Sequence, residues 1–234
     1  MKGEGKRKKF LSHPSRLTFY FLRAFDMPSV NFRLLLVTDR HHTQGRPLVP
    51  LIDRAIEAGL QAIQLRERDI PTRELLLLAQ EIYAVSSPRS VPLLINDRVD
   101  LMVALNLDGV HLRSDSLPTW PVRQLIGSQR LIGISTHSAE DVQQANQSGA
   151  DYVVFGPIFD TPSKRSFGAP LGLALLAEVC RRSSIPVFAI GGITCDRVAA
   201  VRRAGAHGVA VIGALLTRDD IGEAVREFTD ALRI

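Results

Sequence analysis

From residue 33 onward, short apolar runs alternate with longer segments whose apolar positions recur every three or four residues. The first pattern suits a strand, the second a helix presenting one face to a core. The short runs fall at 33–37, 62–65, 92–95, 109–112, 131–134, 152–155, 187–190 and 208–212. Segments of helical period follow them at 48–58, 72–85, 99–105, 119–126, 139–147, 172–182, 196–203 and 219–232. The runs are apolar at nearly every position, as in strands covered on both faces. Eight strand-helix units in about 200 residues predict a single (β/α)8 barrel of the TIM type, because an open doubly wound sheet of this length carries fewer strands.

Local signals agree with this division. Thr72 before Glu74 and Ser138 before Glu140 are candidate helix caps. A weak internal repeat places Gly59, Gly149 and Gly205 where a helix ends and a strand is about to begin, the usual position of a C-terminal glycine.

In such a barrel the chemistry collects where strands end and loops begin. Gln64, Arg66, Glu67, Arg68 and Asp69 follow the second run, and Asn96, Asp97 and Arg98 the third. His111, Arg113, Ser114, Asp115 and Ser116 follow the fourth, and Ser135, Thr136 and His137 the fifth. Beyond the sixth lie Gly156, Pro157, Thr161, Ser163, Lys164 and Arg165. Cations and hydroxyls around two isolated acids, Asp97 and Asp115, suit a phosphorylated substrate with a divalent metal, here expected to be Mg2+. Gly191 and Gly192 after the seventh run, with Ile212 and Gly213 at the end of the eighth, match the backbone phosphate site that recurs in these barrels.

Composition narrows the picture further. With 45% hydrophobic and 23% charged residues the chain is neither disordered nor fibrous. Residues 1–30 hold seven basic side chains against Glu4 and Asp26, which accounts for the whole net charge of +5. The basic excess therefore implicates no folded surface in nucleic-acid binding. The apolar patch at 17–22 is confined by Arg16 and Arg23 and lacks a cleavage site, so residues 1–30 read as a disordered basic arm or a mistaken start, and 31–234 as the barrel. No run reaches the ~20 apolar residues of a membrane span, and the expected compartment is the cytoplasm. Cys180 and Cys195 form no disulfide framework and lack metal-ligand spacing. The oligomeric state, a homo-oligomer included, is left open.

The landmarks Gln64-Leu65-Arg66-Glu67, Ile95-Asn96-Asp97-Arg98-Val99-Asp100, Gly109-Val110-His111-Leu112, Ser135-Thr136-His137, Gly149-Ala150-Asp151-Tyr152, Phe155-Gly156-Pro157 with Thr161 and Lys164, and Ala189-Ile190-Gly191-Gly192-Ile193 resemble the thiamine phosphate synthase family. That family includes a thiazole tautomerase branch. The resemblance implies a transferase of thiamine biosynthesis that joins a hydroxymethylpyrimidine diphosphate to a thiazole phosphate and releases diphosphate. It further implies that Gln64, Arg66, Arg68 and Asn96 hold the pyrimidine diphosphate, that Asp97 binds Mg2+, and that Ser135 and Lys164 add donors to the same substrate. Thr161, Ser163, Gly191, Ile212 and Gly213 would then cradle the thiazole phosphate.

Three positions depart from the family's synthases, which usually carry Lys at position 68, a second metal-binding Asp at 116 and Ser at 213. Here they are Arg68, Ser116 and Gly213, which leaves neighbouring Asp115 as the substitute carboxylate. Arg68 and Ser116 resemble the tautomerase branch, in which His137 would be the acid/base and no metal is needed. The Asn96-Asp97 pair favours the synthase, since it has little purpose without metal diphosphate. A third reading is a degenerate barrel kept for regulation.

Overall fold

The structure, a computed structural model, describes residues 29–161 and 169–233. The expectations for most of the basic arm, and for Ser163 and Lys164, lie outside these residues.

Eight parallel strands close on themselves in chain order. They are β1 (Leu34–Val37), β2 (Ala62–Leu65), β3 (Leu93–Asn96), β4 (Gly109–Leu112), β5 (Leu131–Thr136), β6 (Tyr152–Phe155), β7 (Val187–Ile190) and β8 (Gly208–Val211). Pairing of Leu34 with Val209 and of Leu36 with Val211 completes the ring. The helices are α1 (Leu48–Glu57), α2 (Thr72–Ser86), α3 (Val99–Leu105), α4 (Thr119–Ile126), α5 (Ala139–Ser148), α6 (Gly172–Arg182), α7 (Val198–Arg203), α8 (Gly213–Leu216) and α9 (Ile221–Ala231). No helix among the described residues is long and apolar enough to cross a membrane.

The strands bury both faces, and the alternation of side chains divides them between two cores. Leu35, Ala62, Leu94, Leu131, Tyr152, Phe188 and Ala210 fill the barrel. Leu34, Ile63, Leu93, Val110, Val153 and Val209 meet the helices in a larger outer cluster. Each such Leu, Ile, Val or Phe side chain, fully buried, stabilises the fold by about 1.5–3 kcal/mol relative to exposure. The floor is aromatic, with Phe32 5.1 Å from Phe188 and 5.8 Å from Tyr152 between ring centroids. Val30 packs against this inner cluster, so the barrel floor begins just before the boundary at residue 31.

Gly133 makes room inside the barrel. A Cβ there would lie 2.2 Å from the Tyr152 ring and 2.6 Å from His111 Nδ1, so any side chain would displace both. The repeated glycines Gly59, Gly149 and Gly205 all have left-handed φ, between +90° and +101°, a conformation a Cβ disfavours. Helix starts differ in detail. Ser138 caps α5, but its capping-box partner is Asp141 rather than Glu140. Thr72 is already helical, with Pro71 at the cap and no side-chain cap bond. Residues 195–197 form a separate 3-10 turn before α7, so the segment expected as helix from 196 begins its α-helical part only at Val198.

Asp151, within one of the sequence landmarks, has a structural role. Arg123 of α4 donates to Asp151 Oδ2 at 2.5 Å and to the carbonyls of Gly127, Arg130 and Gly149. The Ile132 amide donates to the same carboxylate at 2.6 Å. Both side chains are buried, and the pair ties the α4 end to the starts of β5 and β6.

Candidate active site

Parallel strands bring all eight C-terminal ends to one mouth, and the last inward-facing residues of β2 to β5 are polar, whereas Val37, Val154 and Ile190 close β1, β6 and β7 with apolar side chains. Gln64 of β2 is buried and donates through Nε2 to Asn96 Oδ1 of β3 at 3.0 Å. His111 of β4 shares a hydrogen bond with Ser135 Oγ of β5 at 2.9 Å through Nε2, and one with Tyr152 Oη at 3.1 Å through Nδ1. Gln64, Asn96, His111 and Ser135 thus form a continuous polar wall above the aromatic floor.

Burial, with Arg66 nearby, pushes the His111 pKa down to about 3, so the imidazole is neutral. Burial also raises the Tyr152 pKa and keeps its phenol protonated. The neutral ring carries one N–H: with it on Nε2, Tyr152 donates to Nδ1 and Ser135 Oγ accepts, and with it on Nδ1, Tyr152 Oη accepts and Ser135 donates to Nε2. His111 therefore orients Ser135 and is not a proton carrier near neutral pH.

Arg66 is half-buried, and its amide donates to the hydroxyl of fully buried Thr38. Burial is the main cause of its lowered pKa, with repulsion from Arg68 and Arg113 adding to it. A guanidinium so placed gains from an anionic ligand. Glu67, next along, is buried, and its Oε2 accepts from the Arg40 amide at 3.1 Å. Arg40 also forks onto Asp69 at 2.6 and 2.7 Å. Arg40, with His41, holds the Asp69 carboxyl down at about 2.

Asp97 has φ +64°, in the left-handed region where Asp and Asn are enriched among non-glycine residues and which is often found at functional sites. The Ser116 hydroxyl donates to its Oδ1, and Arg113 Nε lies 3.8 Å from its Oδ2. Asp115 behaves otherwise: Arg113 Nε and Nη2 take both its oxygens at 2.9 and 2.8 Å. The structure thus brings Ser116, not Asp115, to Asp97. Among the described residues no group of three or more His, Cys, Asp or Glu converges as a metal cage. One carboxylate and one hydroxyl suit a hard cation that brings waters and substrate oxygens of its own.

The β7–β8 sector is built differently. Gly191 and Gly192 have φ +95° and +63°, and a Cβ on either would lie 2.5 Å from Pro157 or 2.7 Å from the Asp160 carbonyl oxygen. The Ile158 amide donates to Ile190 O, and that of Phe159 to Gly191 O, which packs the loop after β6 onto this turn. Gly213 opens α8, a short helix absent from the sequence reading; the first amides of a helix lack intrahelical acceptors. Arg46 also escaped that reading. It reaches the carbonyls of Thr43, Leu216, Arg218 and Asp219 at 2.7–3.0 Å and so fixes the far end of α8. His137 is exposed, with its Nδ1–H donated to Gly156 O at 2.7 Å.

Comparisons with known proteins agree with this geometry. The model of the thiamine monophosphate synthase family matches residues 34–215. The thiamine-phosphate synthase of Roseiflexus castenholzii is 42% identical over 203 residues, covering 87% of this chain and 89% of its own. That of Clostridium novyi is 40% identical over 192 residues, covering 82% and 94%. A solved thiamine phosphate pyrophosphorylase from Pyrococcus furiosus superposes with a TM-score of 0.78 at 31% identity, over 86% of this chain and 95% of that one. The match spans every strand from β1 to β8, and by it the chain belongs to the thiamine monophosphate synthase family.

Proposed function

We propose that this protein is a thiamine-phosphate synthase, a transferase that joins a pyrimidine methyl diphosphate to a thiazole phosphate. The reaction breaks the bond between the pyrimidine methylene carbon and a diphosphate oxygen. The thiazole ring nitrogen then forms a bond to that carbon, and diphosphate leaves. The observation that carries this reading is the Asp97-Ser116 pair with Arg113 beside it, an oxygen-donor site next to a group of cations in which Arg66 feels both Arg68 and Arg113. A proton shift on a thiazole ring needs neither.

In this scheme the Gln64-Asn96 pair and Ser135 hold the pyrimidine end, while Arg66, Arg68 and Lys164 neutralise charge that grows on the departing diphosphate. Asp97 and Ser116 would hold Mg2+, which when bound supplies a Lewis acid for the leaving oxygens. Thr161, Ser163, Ile212 and the amides at Gly191, Gly192 and Gly213 receive the thiazole phosphate. Residues 1–28 take no part.

The test is incubation of purified protein with both substrates and Mg2+, with products identified by mass spectrometry. Thiamine phosphate and diphosphate in equal amounts are expected. Chelator-resistant isomerisation of a thiazole carboxylate phosphate, lost in His137→Ala and with no coupled product, would replace the synthase with the tautomerase. Binding of thiazole phosphate without turnover would indicate a regulatory barrel.

A further inference from the structure

The scheme above gives Arg113 no contact with substrate, yet its guanidinium lies beside Asp97. Its guanidinium spans both acids at the mouth, forked onto Asp115 and 3.8 Å from Asp97. It is also one of two like charges, with Arg68, felt by half-buried Arg66. Arg66, Arg68 and Arg113 therefore share this sector with Asp97 and Asp115, while Asp39 and Glu67 also act on Arg66. The Arg113 side chain is 39% exposed and that of Asp115 71%. An ion pair so wet contributes little, so exchanging Asp115 for another anion costs little. The fork now on Asp115 is the geometry that takes two phosphate oxygens.

We propose that Arg113 is a built-in cation of the diphosphate site: it balances Asp97 and Asp115 in the free protein and turns to the diphosphate when substrate binds. The inference rests on the synthase reading for the identity of its ligand. It follows that this chain holds diphosphate without a divalent cation, and that a cation alone binds weakly while Arg113 stays beside Asp97.

The test is calorimetric titration with inorganic diphosphate in the presence of chelator, and again in excess Mg2+. Wild type should bind in chelator, and Arg113→Ala should bind at least about tenfold more weakly, the loss expected for a charge-assisted contact. Arg113→Lys should recover part of that loss, since it keeps the charge and gives up the fork. In excess Mg2+ the gap between wild type and Arg113→Ala should narrow. Equal affinities in chelator, or no wild-type binding without Mg2+, would overturn the proposal. The coupling assay on wild type separates the two readings. Absent product with Arg113-dependent binding intact would reject the synthase alone. Product formation with binding indifferent to Arg113 would reject only this inference.

Discussion

At the mouth of the barrel, the sector from β2 to β5 presents side chains to a ligand, whereas the sector from β7 to β8 presents backbone. The first is a set of charges and amides held on neighbouring strands, with Gln64 on Asn96, His111 on Ser135 and Ser116 on Asp97. The second depends on what is missing, since Gly191 and Gly192 sit where no Cβ fits. A side-chain site can lose its charge while the fold stands. A backbone site cannot be altered without moving the backbone, so in this sector recognition and stability are inseparable. Substitutions in the two sectors should therefore fail in different ways.

The largest effect should fall outside both sectors. Asp151→Ala leaves the buried Arg123 without its counter-charge, and breaking a buried pair costs about 3–5 kcal/mol. Thermal unfolding should show that loss, while kcat of the folded fraction stays near wild type. A normal melting temperature with lost turnover would move this landmark from scaffold to chemistry.

Next is Asp97→Asn, which tolerates the same left-handed φ and keeps an acceptor for Ser116. Coupling should fall by about a hundredfold, roughly 3 kcal/mol of transition-state stabilisation, with the melting temperature unchanged. Gly192→Ala should do the reverse. It forces a side chain to φ +63° against the Asp160 carbonyl, at a cost of about 1–3 kcal/mol of stability, and should raise KM for thiazole phosphate more than for the pyrimidine substrate. If Gly192→Ala were as stable as wild type, the division between the sectors would not hold.

Per pH unit, the acid limb of stability gives a signal toward the lower end of the Gly192→Ala range. His111 stays neutral in the fold down to about pH 3, but in the unfolded chain it takes a proton below about pH 6.5. Between these values the unfolded state binds the extra proton, so stability falls by about 1.4 kcal/mol per pH unit as pH drops. Denaturant midpoints from pH 7 to 4 should show that slope, and His111→Asn should flatten it. The smallest effect is expected from removing residues 1–28: coupling and melting temperature should stay within error, and an insoluble product would show that the arm contributes to the barrel.

Much of this architecture is legible in the sequence because long-range order here follows local pattern. Eight apolar runs, each bounded by a helical segment, leave few ways to close a core, and the strand ends then follow to within one or two residues. The polar wall could be named because it lies at those ends. Less visible were features set by contacts distant in the chain. Four residues suffice for α8 because Arg46, some 170 positions away, binds the carbonyls at its end. Burial of Glu67 depends on the Arg40 amide. Arg113, a lone loop cation in the sequence, gains meaning only when β3 and β4 bring Asp97 beside it. Asp115 shows the converse: counting acids made it a substitute ligand, yet its neighbour two residues away holds both its oxygens.

The most direct test of the two-sector account is a crystal structure with thiamine phosphate and diphosphate bound. Diphosphate should lie against Arg66 and Arg68 and the pyrimidine ring against Gln64 and Asn96, with the phosphate of the product on the amides at Gly191, Gly192 and Gly213. Diphosphate seated on the glycine sector, or the product phosphate on the arginines, would contradict it.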